Sequence, residues 1–318
     1  VNFMADLRKQ SEYKDVNCGS LVVLDVKSNA VLGMATAPTY DLTKYKSDYD
    51  KILNADNTPL LNRATSGLYR PGSTFKTITA TAGLNEGIVT GETTYTCHQR
   101  MKFYDIEVGC TGYHNDISVA GALRVSCNIY FYELGRRLGI DKITEYASLY
   151  GYGQHTGIET GDYAGAIGNP ETFNDIGLDW TVGQVLQAAI GQSETSVTPL
   201  QMAGVASTIA NRGVRYKTHL VDSIYDYSME NEIEKIEPEI AETIDINYDY
   251  VYDYVIDGMV QASENNFPAD YSLSNLGFDV AIKTGTPQNW RNGDEVTDSC
   301  FIAVSYTHLR AHETDQYL

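Results

Sequence analysis

The chain has 318 residues, 42% of them hydrophobic, and a formal charge of −19 at pH 7. That length allows one large domain or two ordinary ones, and that apolar share builds a real core, which excludes a disordered chain. The acidity and the lack of basic clusters exclude a nucleic-acid grip, and no apolar run approaches the length of a membrane span.

Val1 to Asp15 is polar and charged, and the chain opens on valine rather than methionine. Residues 1–17 are therefore expected to be the end of an upstream segment of a longer parent. The run "SLVVLDVKSNAVLGMAT", Ser20 to Thr36, predicts two strands around a Lys-Ser-Asn turn. Pro38 to Asn62 is polar and predicts a loop. In "YRPGSTFKTITA", Tyr69 to Ala80, a Pro-Gly pair precedes Ser73 and an apolar run follows it, which predicts a helix starting at the serine. Gly87 to Tyr113 predicts irregular structure. Val119, Leu123, Ile129 and Leu134 recur at helical spacing within Ile117 to Gly139. Thr198 to Gly213 predicts a helix with Thr198 as N-cap, Pro199 at its first position and Gly213 as terminator. The acidic stretch Ser223 to Asp249 predicts a surface excursion, and Tyr250 to Ala262 a further helix. Gly277 to Thr286 predicts a strand, with Asp298 to Tyr306 as its hairpin partner. Strands at both ends with helices between them imply one α+β domain. Its antiparallel sheet would mix N- and C-terminal strands, flanked by helices.

The cysteines are Cys18, Cys97, Cys110, Cys127 and Cys300. Cys97-His98 with Cys110 and His114 can be drawn as a zinc site, but the spacing is poor, and no metal or cofactor is expected. A Cys97–Cys110 disulfide closing a short loop is the expectation for an oxidising compartment, with free buried thiols or zinc as the alternatives.

Three short motifs carry the chemistry. Ser73-x-x-Lys76 places a hydroxyl and an amine on one helix face. Ser126-Cys127-Asn128 lies between two helical stretches, and Lys283-Thr284-Gly285 on a late strand. Each of the first two has a decoy, Ser11-Glu12-Tyr13-Lys14 and Ser263-Glu264-Asn265; the third occurs once. Ser73 as a plain N-cap with a solvated Lys76 is the bland alternative. It leaves a cation against the positive end of the helix dipole, which costs about 0.3–1 kcal/mol.

The set, in that order and context, resembles the transpeptidase domain of class B penicillin-binding proteins. The resemblance runs from about Ser20 to Val304. It includes "NRATSGLYRPGSTFK", "SCNIYFYELGRRLG", "AIGQSETSVTPLQMAGVASTIANRG" and "VAIKTGTPQ". It implies a D,D-transpeptidase that cross-links peptidoglycan stem peptides through an acyl-serine intermediate and binds β-lactam antibiotics covalently. Ser73 would be the nucleophile, Lys76 its base and Ser126 a proton relay. Asn128 would hold the peptide amide and Lys283 supply positive potential, while the Thr284 and Thr286 hydroxyls bind the terminal carboxylate. Gly285 would allow close backbone approach, and the N–H groups of Ser73 and Thr286 would form the oxyanion hole. Cys127 would point away as packing. The resemblance also implies a membrane-anchored parent on the extracytoplasmic face, working with a glycosyltransferase. A serine β-lactamase, a D,D-carboxypeptidase and a non-catalytic β-lactam sensor are the alternatives. The transpeptidase domain is expected over 18–304. The polar end, 305–318, is expected to be a non-native tail standing where the family has a last strand and helix.

Overall fold

The computed structural model of the chain describes residues 16–103, 105–265, 273–291 and 294–306. The polar start up to Asp15, with its Ser11–Lys14 decoy, and the end after Tyr306 lie outside these residues.

Strands β1 (Gly19–Leu24) and β2 (Val31–Ala37) form the expected antiparallel hairpin, with Leu21 opposite Ala35. The expected loop after it holds two short helical pieces, a 3₁₀ turn at Leu42–Lys44 and α1 (Tyr49–Leu53). Asp41 nucleates the first by accepting from Thr43 N at 2.9 Å, a local cap that composition alone hides. Next come α2 (Arg63–Ser66), a 3₁₀ turn at Gly72–Phe75 and α3 (Lys76–Asn85). Every residue of α3 is buried. Its threonines satisfy themselves on carbonyls: Thr77 Oγ1 on Thr74 O at 2.9 Å, Thr79 Oγ1 on Ala189 O at 2.7 Å, Thr81 Oγ1 on Thr77 O at 2.9 Å. That lets a threonine-rich helix run through a core.

The stretch expected to be irregular contains short strands, β3 (Tyr95–Cys97), β4 (Arg100–Phe103) and β5 (Ile106–Gly109), and β6 (Asn115–Ile117) follows it. β3 pairs with β6 and β4 with β5, both antiparallel. The predicted helical stretch divides into α4 (Val119–Arg124) and α5 (Asn128–Leu149), separated by the Ser126–Cys127 turn. α6 (Pro170–Asp175) and α7 (Gln184–Ala189) follow. α8 (Pro199–Ala210) starts as predicted: Thr198 and Gln201 form a reciprocal capping box with Pro199 at the first position. β7 (Val214–Tyr216) pairs with β10 (Ile240–Thr243), and the acidic excursion between them folds as the hairpin β8 (Ser223–Tyr225) and β9 (Glu232–Lys235). α9 (Val251–Asn265) leads to β11 (Asp279–Gly285), the hairpin β12 (Gln288–Arg291) and β13 (Asp294–Thr297), and β14 (Cys300–Tyr306).

β11 and β14 pair as expected, Lys283 opposite Ile302. Among the described residues no ladder joins this hairpin to β1–β2. The expected α+β architecture of antiparallel strands flanked by helices is present, and among the described residues the N- and C-terminal ladders share a helix: α8 packs on β1 and on β14. Strands pair only at about 4.8 Å, so a common helix is not enough to join two ladders. The core lies where α5 packs on α3 and α7, α4 on α9, and α9 on β11. The start of α3 thus faces both the Ser126 turn and the end of β11.

Candidate active site

The three motifs converge. Lys76 and Lys283 are both buried, 0% and 1% exposed, whereas Ser73, Ser126, Asn128 and Thr284 are half-buried and Thr286 is exposed. Lys76 Nζ lies 2.8 Å from Ser126 O, 3.2 Å from Ser126 Oγ and 2.5 Å from Asn128 Oδ1. Lys283 Nζ donates to the same Ser126 Oγ at 3.0 Å and to Thr284 O at 2.9 Å. Asn128 Nδ2 donates to Gly109 O at 3.3 Å.

Burial drives the Lys76 amine well below the usual lysine range, and the Lys283 charge adds to the effect. Burial also pushes Lys283 down, to about 8. The hydrogen bonds balance when Lys76 is neutral. Its two N–H groups go to Ser126 O and Asn128 Oδ1, its lone pair takes the Ser126 hydroxyl proton, and that hydroxyl oxygen accepts from the Lys283 ammonium.

Local backbone sets these positions. Ser126 has φ 55°, the left-handed region, and so turns both its carbonyl and its hydroxyl toward Lys76. Cys127 then caps α5, its Sγ accepting from Tyr130 N at 3.5 Å. A Cβ on Gly285 would sit 2.8 Å from Pro71 O and 2.7 Å from Cys300 Sγ, so only glycine lets β11 close on the nucleophile turn. Gly191 supports the turn from beneath: its carbonyl accepts from Gly72 N at 2.9 Å, and a Cβ there would lie 2.4 Å from Gly72 O.

Ser73 sits inside the 3₁₀ turn, one residue after its start, and does not cap the helix. Among the described residues no hydrogen bond joins it to Lys76; the amine turns to Ser126 and Asn128 instead. The decoy Ser263-Glu264-Asn265 ends α9, away from this group, with Ser263 Oγ on Val260 O.

Sequence reasoning missed two features. Arg70 reaches across the site's edge, donating to Glu194 Oε1 at 2.8 Å and Gln288 O at 3.1 Å. The expected Cys97–Cys110 disulfide is absent, since both thiols are free. His98 stacks on Tyr113 rather than joining them. Cys127 packs in the core, fully buried, as expected, and there it lies beside Cys97, Cys110 and His114.

Residues 19–311 match the family model described as the penicillin binding protein transpeptidase domain. The chain is 29% identical over 299 residues to peptidoglycan D,D-transpeptidase MrdA of Escherichia coli (strain K12), covering 89% of this chain and 47% of that protein. It thus spans about half the length of the curated relatives it matches. Among solved structures it is similar to Pseudomonas aeruginosa PBP2 in complex with WCK 5153. The TM-score is 0.79 at 26% identity, over 90% of this chain and 66% of that one. It is also similar to a chain of a peptidoglycan synthase complex that coordinates polymerization and crosslinking, with a TM-score of 0.77 at 29% identity, over 92% of this chain and 50% of that one.

Proposed function

The chain belongs to the penicillin-binding protein transpeptidase family, and from that premise we propose that it is a serine D,D-transpeptidase cross-linking peptidoglycan stem peptides. Ser73 Oγ attacks the carbonyl carbon between the two terminal D-alanines, and its proton passes to the neutral Lys76 amine. This requires the amine to swing from Asn128 toward Ser73, one turn back. The oxyanion is held by the N–H groups of Ser73, which lies in the first turn where amides lack an intrahelical partner, and of Thr286. The C–N bond breaks, and the leaving D-alanine amine takes a proton from Ser126 Oγ, which regains one from Lys76. An acceptor amine then attacks the ester carbonyl and gives its proton to Lys76, and Ser73 departs with a proton restored. Asn128 holds the stem's peptide amide. Lys283 supplies positive potential, and Thr284 and Thr286 bind the terminal carboxylate.

The observation that carries this reading is a fully buried Lys76 amine, set beside the Lys283 amine and in contact with Ser126 and Asn128, where burial and the neighbouring charge favour the neutral form. Glu194 is engaged by Arg70, which favours an ester that waits for an amine over one hydrolysed at once. Work beside a glycosyltransferase fits the synthase complex that shares the fold. The substrate places the domain on the extracytoplasmic face of the bacterial membrane; among the described residues no helix is long and apolar enough to cross it.

Fluorescent penicillin tests the reading. Wild type should label and hold the label for hours, and Ser73→Ala should not label. Labelling that survives Ser73→Ala sinks the assignment. Fast release of hydrolysed penicillin indicates a β-lactamase instead. Stable acylation with no turnover of any stem peptide plus acceptor amine indicates a sensor.

A further inference from the structure

Three segments meet at the turn before Ser73. Residues 69–72 run beside 191–197: Tyr69 pairs with Val197, and Gly72 N–H donates to Gly191 O at 2.9 Å. From the other side comes the chain just past the end of β11, where Thr286 is exposed and Pro287 buried. A Cβ on Gly72 would lie 3.0 Å from Pro287 Cδ, so the nucleophile turn and this segment are in contact. Beyond Pro287, among the described residues, β12 and β13 pair only with each other. A lone two-stranded hairpin is marginal in water, so its place depends on what ties it to the body.

Two side chains tie the backbone of its first residue. Gln192 Oε1 accepts from Gln288 N at 3.3 Å, and Arg70 Nη1 donates to Gln288 O at 3.1 Å. The other arm of the same guanidinium, Nη2, donates to Glu194 Oε1 at 2.8 Å. One planar fork thus spans from the 191–197 segment to the hairpin. The Arg70 and Glu194 side chains are 25% and 35% exposed, and an ion pair so open to solvent adds little to stability. The value of the fork is geometric. Arg70 stands three residues before Ser73, and the carbonyl it holds stands two residues after Thr286.

We propose that Arg70 is a positioning residue that sets the separation of the Ser73 and Thr286 amides, the two donors of the oxyanion hole. The inference rests on the transpeptidase reading, which assigns those amides. Such donors work only when both stand about 2.7–3.1 Å from the developing oxyanion, and a misplacement of about 1 Å can cost about 100-fold in rate. The two amides come from distant parts of the chain. The contact of Gly72 with Pro287 limits how close they come, and the fork limits how far Thr286 can slide away. Without the fork the hairpin drifts outward and carries Thr286 with it, while Gly72 keeps the Ser73 turn seated on Gly191.

Stopped-flow acylation by penicillin and the carbonyl stretch of the acyl-enzyme, both in the full chain, test this. Arg70→Met keeps the apolar stem and removes both donors. Its limiting acylation rate should fall at least about tenfold, with the half-saturating penicillin concentration moved by less than about threefold and the melting temperature unchanged. In the acyl-enzyme made from penicillin carrying carbon-13 at its β-lactam carbonyl, the ester band should move to higher wavenumber, the mark of a carbonyl less firmly held. Arg70→Lys keeps the charge beside Glu194 without the fork and should recover only part of the rate. Arg212→Ala removes a guanidinium that likewise joins a carboxylate, that of Asp253, to a carbonyl, that of Asp249, and should change neither rate nor band. A wild-type rate in Arg70→Met or in Arg70→Lys overturns the proposal, as does a lowered rate with the band unmoved. Ser73→Ala separates the two claims. If it still labels, the catalytic reading fails; if it is silent and Arg70→Met acylates as wild type does, the role of Arg70 alone fails.

Discussion

Lys76 and Lys283 meet at one hydroxyl: their amines lie 3.2 and 3.0 Å from Ser126 Oγ. Two ammonium groups at that spacing repel in a buried place, so one must give up its proton first, and the more deeply desolvated Lys76 is that one. The groups that face Lys76 are Lys283, Cys110 and Cys127.

The pH dependence of acylation follows. The rate should fall as acid protonates Lys76 and fall again as pH rises through about 8, where Lys283 loses its charge. Lys283→Arg should remove the alkaline fall, because a guanidinium stays charged. Both lysines have folded values below the unfolded 10.5, so the unfolded chain binds more protons, and stability should rise with pH toward that value. For Lys283 the window runs from about 8 to 10.5. Acylation rates by stopped flow, and denaturant melts across that range, check both signs; a flat acylation profile refutes the first.

Substitution at Ser126 should separate strain from chemistry. At φ 55° a side chain is penalised by about 1–2 kcal/mol. Ser126→Gly should therefore unfold at higher denaturant than Ser126→Ala by roughly 1 kcal/mol. Both lack the shared hydroxyl and should acylate more slowly by about 1–3 kcal/mol in barrier. Equal midpoints for the two variants would show that the turn carries no strain.

Gly285→Ala drives a Cβ into Pro71 O and Cys300 Sγ. The strand must back away from the nucleophile turn, at a cost of about 1–3 kcal/mol, and penicillin labelling should drop with the melting temperature. Adding Cys300→Ala should restore little, since the clash with the Pro71 carbonyl remains.

Thr286→Val keeps shape and removes one exposed hydroxyl just past the end of β11. Acylation should weaken by about 1–3 kcal/mol through an unpaired carboxylate, with no change in the melt. Equal acylation rates would show that the carboxylate is held elsewhere.

What could be read in the sequence was local. Thr198, Gln201 and Pro199 write a helix start within four positions, and the capping box forms as written. The β11–β14 pairing follows from two apolar runs flanking a polar connection. The strands β3 to β6 were invisible because each has three or four residues, too few for alternation to register. Ser126 and Lys76 could be named from their motifs. That the amine would face Ser126 rather than Ser73 depends on a positive φ, which serine rarely signals. The cysteine cluster had one available clue. All the cysteines except Cys18 and Cys300 fall between positions 97 and 127, in company with His114. No Cys-x-x-Cys pair marks them, and the partnership of Cys127 is made by the fold.

The close approach of β11 and β14 to the turn before Ser73 also orders events in time. Cys300 Sγ reaches Pro71 O across 229 positions of sequence, and Arg70 reaches Gln288 O across 218. Contacts of such separation close late and slowly, because a long loop must be tied before they repay it. A nascent chain can thus bury α3 against α5 while its last hairpin is still being synthesised, and hold a formed nucleophile helix with no wall opposite it. Such an intermediate should be blind to β-lactams. Reactivity toward penicillin would then report the arrival of the final hairpin, so that a pulse of label given during refolding times the slowest step of assembly.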